Sequence, residues 1–218
     1  MKILAIDTTT KKASVALKDD NNIFLKEINN EITHSEKLLP LLDEVLNESS
    51  ITLKDIELFA ITLGPGSFTG VRIGIATIKA ISKVTNKKIF GTTSLELLAL
   101  DGIKKSATSP KYVLALMDAR NARVYYNLYK YEDGKLIPQT FLGNDYAKDV
   151  LQKIEQLNLK DLLIVIDKND INLENVTVAS LDLKNIFDLD MTTRTYDYLT
   201  LDAMYYRKSE AERTTEGE

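Results

Sequence analysis

The stretch AITLGPGSFTGVRIGIATIKAISK, Ala60–Lys83, holds four of the nine glycines in this chain of 218 residues. An apolar, strand-like run precedes the glycines and a helix-like run follows them, so the stretch predicts a strand, a tight loop and a helix. Such a loop often binds phosphate, because the first turn of a helix presents unpaired N–H groups. A phosphate-binding loop is therefore one interpretation of this stretch.

Neither common phosphate-binding pattern matches these glycines. A P-loop has the spacing G-x-x-x-x-G-K-[ST], whereas five residues separate Gly64 from Gly70 and Val71 follows. The dinucleotide pattern G-x-G-x-x-G fails as well, because Gly66 and Gly70 are one residue too far apart. Pro65 also lacks a backbone N–H. Anion binding at this helix start is thus the weaker interpretation.

The helix after the loop has two apolar sides when it is read at about 100° per residue. One side carries Val71, Gly74, Ile75, Ile78, Ile81 and Ser82, and the other carries Ile73, Ala76, Ala80 and Val84. A helix that covers one sheet needs a single apolar face, so we expect the second side to pack on something else. Gly70 and Gly74 share a side, which predicts close approach by another helix, and glycine there costs about 1 kcal/mol of helix stability relative to alanine.

A second helix is predicted over 34–48, because Thr33 and Glu36 have the spacing of a capping box. Its apolar arc is wide and consists of Leu38, Leu39, Leu41, Leu42, Val45 and Leu46. Such a wide arc favours a partner surface, since exposed leucines are a liability. The alternative is that the helices 34–48 and 67–84 pack on each other within the chain.

The predicted partner interface takes residues from both helices. It consists of His34, Leu38, Leu41, Leu42, Val45, Gly70, Val71, Gly74, Ile75 and Ile78. A carboxylate in an interface core is costly. Leu42→Glu or Ile75→Glu is therefore expected to abolish association and leave the monomer folded, whereas unfolding would indicate packing within the chain.

The two halves of the chain repeat one order of elements: three strands, a helix, a strand and more helix. This order predicts an α/β fold with mixed sheets flanked by helices. We expect an N-terminal lobe over 1–103, which carries the docking helices, and a C-terminal lobe over 104–218 with a frayed tail. A last helix is predicted around Tyr196 to Tyr206.

Composition excludes several classes of protein. The chain has no Cys and one His, a net charge of −4, and no run of basic residues longer than two, so nucleic-acid binding by this chain alone is not favoured. The start MKILAID has too few apolar residues for a signal peptide. No segment approaches the roughly 18 apolar residues of a membrane span. We expect a soluble, cytoplasmic protein.

Polar residues offer weak candidates for chemistry. Asp7, Thr8 and Thr9 follow the first strand and could contact a nucleotide, although a turn that satisfies its own backbone is the preferred interpretation. A metal site is not expected, because His34 is the one histidine. Asp118 and Arg120 follow a buried strand and are expected to form a local ion pair. No nucleophile-elbow motif supports a hydrolase triad.

Four segments occur in an order that resembles the bacterial TsaB family, also called YeaZ. They are ILAIDTTTKKASVAL, THSEKLLPLL, LGPGSFTGVRIGIATIKAI and MDARNARVYY, and the resemblance covers roughly residues 1–130. It implies the two-lobed fold of the actin, sugar kinase and Hsp70 superfamily, which is ribonuclease H-like. In kinases of this superfamily, a turn similar to that of Asp7 contacts phosphate and metal.

The resemblance also implies a function. TsaB proteins are non-catalytic partners of TsaD, which transfers a threonylcarbamoyl group to adenosine at position 37 of tRNAs reading A-starting codons. It implies homodimers, docking of TsaD through the helices that match 34–48 and 67–84, and an ATPase partner, TsaE. No cofactor is expected for this chain, because partners use the ATP, and tRNA is met only through the complex.

Two segments depart from the family pattern. Asn121, Ala122 and Arg123 replace a usual Gly and acidic residue, and LDAMYYRKSEAE matches the family's C-terminal ending loosely. The second half therefore carries less of the resemblance. The alternative function is a stand-alone peptidase or a small ATP-using phosphotransferase.

Overall fold

The computed structural model describes residues 1–29, 34–170 and 172–204. It contains two sheets, four α-helices and one 3-10 helix in these ranges. In chain order, the elements are β1 (Lys2–Asp7), β2 (Lys12–Asp19), β3 (Asn22–Asn29), α1 (His34–Ser49), β4 (Leu58–Thr62), α2 (Phe68–Thr85), β5 (Ile89–Thr92), α3 (Ser94–Lys105), β6 (Tyr112–Asp118), β7 (Arg123–Glu132), β8 (Lys135–Tyr146), α4 (Ala147–Gln156), β9 (Leu162–Ile166), β10 (Thr177–Val178), the 3-10 helix Leu183–Asp188, and β11 (Thr195–Tyr196).

The first sheet has the strand order β11-β5-β4-β1-β2-β3. The strands β1, β2 and β3 are antiparallel neighbours, while β4 runs parallel to β1 and β5 runs parallel to β4. Because β4 and β5 are parallel, the chain must cross over between them, and α2 is that crossover. The helices α1 and α2 pack against this sheet and against each other, so the core of the first unit lies between them and the strands.

The second sheet has the order β10-β9-β6-β7-β8. Its strand directions repeat those of the first sheet: β6, β7 and β8 are antiparallel, and β9 and β10 continue in parallel from β6. Apart from β11, the two sheets therefore have the same strand order and the same strand directions. This confirms the predicted fold class of mixed sheets flanked by helices.

The chain divides into two compact units. The first consists of Met1–Ser94 and Leu183–Met204, and the described part of the second is Leu95–Asp182. This division differs from the single boundary after residue 103 that we expected. The physical reason is that the chain returns to the first sheet, where β11 pairs antiparallel with β5.

The helix predicted around Tyr196 to Tyr206 is wrong for its described part, which ends at Met204. The strand β11 and a turn occupy that range instead. The carboxylate of Asp197 accepts the backbone N–H of Leu199 at 2.9 Å and that of Thr200 at 3.0 Å. Asp side chains that bind the backbone in this way compete with helix formation.

Candidate functional site

The glycine loop packs directly on the turn that follows β1. A Cβ atom added at Gly66 would overlap the carbonyl oxygen of Thr9, and one added at Gly70 would overlap that of Thr8. At Gly74, a Cβ atom would overlap the hydroxyl oxygen of Thr8. Gly66 and Gly70 are thus needed for close approach of the Thr8–Thr9 backbone, and Gly74 makes room for the Thr8 side chain. This corrects the expectation that Gly70 and Gly74 make room for another helix.

Hydrogen bonds join the same two segments. The backbone N–H of Ser67 donates to the carbonyl oxygen of Thr9 at 2.6 Å, and the hydroxyl of Thr8 donates to the carbonyl oxygen of Gly70 at 2.8 Å. Ser67 is also the N-cap of α2, because its side-chain oxygen accepts the N–H of Gly70 at 3.2 Å. A phosphate-binding loop offers the N–H groups near its helix start to a ligand. Here the N–H of Ser67 donates to the protein's own backbone instead.

Asp7 lies beneath this loop and is 1% exposed. Its Oδ1 accepts the N–H of Thr9 at 3.2 Å and the hydroxyl of Thr9 at 2.7 Å, and that hydroxyl oxygen accepts from Ser94 at 3.1 Å. Its Oδ2 and the hydroxyl of Thr62 are buried and have no hydrogen-bond partner among the described residues. Burial raises the pKa of the Asp7 carboxyl, and the hydrogen bonds from the hydroxyl and the N–H of Thr9 oppose the rise.

The burial of this turn does not favour a phosphate group or a metal ion at Asp7, Thr8 and Thr9. Asp7, Thr8 and Thr9 are at most 2% exposed, and no carbon atom fits between Gly70 and the carbonyl oxygen of Thr8 or between Gly66 and that of Thr9. A metal ion or phosphate group needs several open oxygen or N–H partners. The structural role of this turn stays our preferred interpretation.

The apolar residues predicted for the partner interface lie in the core of the first unit. On α1, Leu38, Leu41, Leu42 and Val45 are 1%, 7%, 3% and 0% exposed, and on α2, Val71, Ile75 and Ile78 are 3%, 8% and 0% exposed. All seven belong to one apolar cluster with strand residues. Their assignment to a partner surface is corrected to packing within the unit, because the sheet already covers this side of both helices. His34 begins α1, and its side chain lies outside the described part.

The second apolar side of α2, which we expected to pack on another surface, is largely exposed. We call the four residues Ile73, Ala76, Ala80 and Val84 the outer stripe. Ala76 and Ala80 are exposed, Ile73 is half-buried, and Val84 is 86% exposed. On the neighbouring helix α1, Leu39 is 53% exposed. The apolar residues that these helices expose are therefore not the ones that we predicted for the partner interface.

Among the described side chains, the exposed charges are mostly acidic on α1, where Lys37 is the one exposed base, and entirely basic on α2. The acidic residues exposed on α1 are Glu36, Asp43, Glu44 and Glu48, and the basic residues exposed or half-buried on α2 are Arg72, Lys79 and Lys83. Some have partners inside the unit: Glu48 pairs with Lys26, and the guanidinium of Arg72 lies 3.8 Å from the ring centre of Phe68. The two-helix layer thus presents an acidic helix beside a basic one.

In the second unit, the expected ion pair of Asp118 with Arg120 is replaced by another. The carboxylate of Asp118 pairs with Lys168 at 2.9 Å, and Arg120 contributes its backbone N–H, which donates to Asp118 at 2.9 Å. Asp167 accepts the backbone N–H of Asp118 at 3.0 Å, and burial raises the pKa of Asp167. Sequence reasoning missed Lys168 because β9 brings it to the end of β6 from a distant part of the chain.

Two further observations concern the described residues alone. They contain no group of three or more His, Cys, Asp and Glu side chains that could hold a metal ion. Within the same ranges, every helix is too short or too polar to cross a bilayer.

Comparison with known proteins gives the family. Residues 28–184 match the model of the family described as TsaD, tRNA N6-adenosine threonylcarbamoyltransferase. The tRNA threonylcarbamoyladenosine biosynthesis protein TsaB of Escherichia coli (strain K12) is 35% identical over 133 residues, which cover 61% of this chain and 57% of that protein. The protein of the same name from Bacillus subtilis (strain 168) is 32% identical, with 62% of this chain and 58% of the relative covered. The chain thus matches about three fifths of the length of these relatives.

A solved structure agrees with the fold. YeaZ from Pseudomonas aeruginosa superposes with a TM-score of 0.78 and 20% identity, over 94% of this chain and 99% of that one. At this identity, the likeness supports the fold alone. The family model and the curated relatives, by contrast, identify the chain as a member of the TsaB (YeaZ) family, within the wider family that the TsaD model describes.

Proposed function

We propose that this chain is a docking subunit, with no catalytic role of its own, of the complex that forms N6-threonylcarbamoyladenosine at position 37 of tRNAs reading A-starting codons. The observation that carries the proposal is the outer stripe on α2, an apolar helix face left exposed beside a fully buried polar turn. The names of the curated relatives supply the pathway. TsaD is the partner that the stripe would contact, TsaE is a further partner, and tRNA is met through the complex in the cytoplasm.

The composition of the outer stripe suits a helix as its partner. Ala76 and Ala80 are four residues apart, so they lie one above the other and let a second helix backbone approach closely. Ile73 and Val84 lie at its two ends and supply apolar area. A contiguous exposed apolar face of this kind marks an interaction site more often than a solvated surface.

The charges of the two-helix layer support a homodimer when the chain is alone. In a two-fold pairing, the acidic helix α1 of one copy would face the basic helix α2 of the other, because an isologous contact places each patch against its counterpart. Such complementarity contributes more to the association rate and orientation than to affinity. We therefore propose that TsaD displaces the second copy from the same face.

The buried turn favours docking over the enzyme alternatives. A phosphotransferase of this superfamily would use Asp7 and the adjoining threonines, yet the protein's own loop occupies their surroundings. A peptidase would need a nucleophile and base in an accessible cleft. Neither alternative has an observation in its favour among the described residues.

Sedimentation velocity on the purified chain, alone and mixed with TsaD from the same organism, tests the proposal. Ala80→Glu places a carboxylate in the centre of the outer stripe without disturbing the core, because Ala80 is exposed. We expect both the homodimer and the complex with TsaD to weaken at least about tenfold, since an unpaired charge in a desolvated interface costs well over 1.4 kcal/mol.

Gln152→Glu, at an exposed position of α4, is the matched control and should change neither association. Wild-type association of Ala80→Glu would overturn the docking surface. Turnover of ATP or cleavage of peptide by the isolated chain, abolished by a single substitution, would overturn the non-catalytic role.

A further inference from the structure

Thr8 contacts α2 at two positions where the helix has no Cβ atom. Its carbonyl oxygen lies against Gly70 and its hydroxyl oxygen against Gly74, so closely that a Cβ atom at either glycine would overlap it. The same hydroxyl donates to the carbonyl oxygen of Gly70 at 2.8 Å, and Thr8 is 2% exposed. One buried residue of the turn after β1 therefore makes both a hydrogen bond and close contacts with the first two turns of α2.

This fit allows a single rotation of α2 about its own axis. Gly70 and Gly74 are the two glycines of Phe68–Thr85 and lie on one side of the helix. Any other side turned toward Thr8 would bring a Cβ atom to the place where these glycines have none. Because hydrophobic burial is non-directional, the apolar core alone fixes the rotation less tightly than the contact with Thr8 does.

Two other hydrogen bonds tie α2 to distant parts of the chain but constrain its rotation less. The backbone N–H of Ser67, at the N-cap, donates to the carbonyl oxygen of Thr9 at 2.6 Å and fixes where the helix begins. The ammonium of Lys79 donates to the carbonyl oxygen of Leu201 at 3.0 Å, through a long and flexible side chain that tolerates rotation of the helix. Thr8, by contrast, contacts the helix backbone on two successive turns.

We infer that Thr8 is a positioning residue of the docking surface: its contact with Gly70 and Gly74 sets the rotation of α2 and thereby turns the outer stripe away from the sheet. The inference rests on the proposed docking function and deepens it, because it names a buried residue on which the presentation of the stripe depends. Ala76 and Ala80, at the centre of the stripe, are exposed in this rotation. A partner that recognises them therefore depends on Thr8, which it does not touch.

Single cysteines measure the rotation of α2 without any partner, because the chain has no cysteine of its own. Ala76→Cys probes the exposed outer stripe, and Val71→Cys probes the sheet side, where Val71 is 3% exposed. The ratio of their rates of reaction with iodoacetamide should favour Ala76→Cys, since a thiol reacts only where the reagent reaches it. Adding Thr8→Ala should narrow this ratio at least about threefold, which is the expected effect of losing one hydrogen bond.

Thr8→Ser and Thr85→Ala are the matched controls. Serine keeps the hydroxyl that donates to Gly70, so Thr8→Ser should retain the wild-type ratio of rates. The hydroxyl of Thr85 also donates to a carbonyl oxygen of α2, that of Ile81, at 2.8 Å, but both residues belong to the helix. Thr85→Ala therefore removes a similar hydrogen bond without releasing α2 from the turn, and it should leave the ratio unchanged.

The dissociation constant of the complex between the full chain and TsaD from the same organism connects this rotation with docking. Thr8→Ala should weaken the complex at least about threefold, and Thr8→Ser should bind as wild type does. Thermal unfolding shows which variants are folded at the temperature of the assay. Thr8→Val, which also lacks the donor, replaces Thr8→Ala if that variant is not folded.

The outcomes separate this inference from the proposed function. If folded Thr8→Ala keeps the wild-type ratio of rates and binds TsaD normally while Ala80→Glu does not bind, the positioning role is overturned and the docking surface stands. Equal narrowing of the ratio in Thr85→Ala also overturns the role, because a general loss of helix stability would then be the cause. If Thr8→Ala narrows the ratio but the wild-type chain does not bind TsaD, the control of α2 by Thr8 is supported and the docking function is overturned.

Discussion

The hydroxyl of Thr8 donates a hydrogen bond of 2.8 Å to the carbonyl oxygen of Gly70, which lies 62 residues further along the chain. Around this bond, the backbone of the first turn and the glycine loop approach so closely that a side chain on Gly70 would overlap Thr8. The glycines of this loop therefore allow it to pack directly on the turn that follows β1. This contact fixes the start of α2 on the turn that follows β1.

Gly70→Ala should destabilise the first unit by about 2 kcal/mol or more, because the added Cβ atom has to displace backbone at Thr8. In an unhindered helix, the same substitution would stabilise by up to about 1 kcal/mol. Urea denaturation of the purified variant decides between these signs. Thr69→Ala, at an exposed neighbouring position, is the control and should change little. A stabilised Gly70→Ala variant would show that the loop and the turn are not in contact.

Asp7→Asn should change how stability depends on pH. Burial raises the folded-state pKa of Asp7 above its unfolded value of about 3.9. The stability that its neutral form contributes is therefore complete below the unfolded pKa and is lost as pH rises through the folded pKa. Because asparagine cannot ionise, the variant should gain stability relative to wild type as pH rises from about 4 to 8, as followed by chemical denaturation.

Asp55→Asn provides a control of opposite sign. Asp55 is exposed, and hydrogen bonds from the hydroxyl and the N–H of Thr52 lower its pKa. Its contribution is present above the unfolded pKa and lost as pH falls, so here wild type should gain relative to the variant as pH rises. If Asp7→Asn followed the same direction as Asp55→Asn, Asp7 would have to be ionised in the folded protein.

Leu42→Glu and Ile75→Glu should unfold the chain. Both side chains belong to the apolar core, at 3% and 8% exposed, and a carboxylate buried there without a partner costs several kcal/mol. Circular dichroism and thermal unfolding would report the loss. Ala80→Glu on the outer stripe should keep the wild-type spectrum and melting temperature. Folded, monomeric Leu42→Glu would restore the original assignment of these residues to an interface.

Tyr126 provides a spectroscopic test of the second unit. Its hydroxyl donates to the carboxylate of Asp145 at 2.9 Å, and burial together with that carboxylate raises the pKa of Tyr126 to about 12. In an ultraviolet titration, the absorbance step that Tyr126→Phe removes should therefore occur well above pH 10, the usual value for tyrosine. An ionisation of that residue near its usual pKa would mean that the contact with Asp145 is absent.

Local patterns in the sequence were enough to predict most elements. The capping-box spacing predicted a helix that begins near His34, and the helical pattern predicted one that begins near Ser67, as observed at His34 and Phe68. Alternation around turn residues predicted the hairpins of both sheets. The helix predicted near Tyr196 failed because residues 195–204 are organised by contacts with α2 and β5, which lie far away in sequence. Local propensity carries no information about such contacts.

The two apolar sides of α2 are a property of the sequence alone, because side chains on a helix repeat with its period. Which side faces the sheet was decided by the tertiary structure, since both sides are apolar and only packing against β4 and β1 distinguishes them. The same holds for Gly70 and Gly74: the sequence shows that small residues are required, and the fold shows that Thr8 requires them. The contact of Lys83 with the ring of Tyr198 likewise depends on the return of the chain to the first sheet, which brings together residues that no local pattern relates.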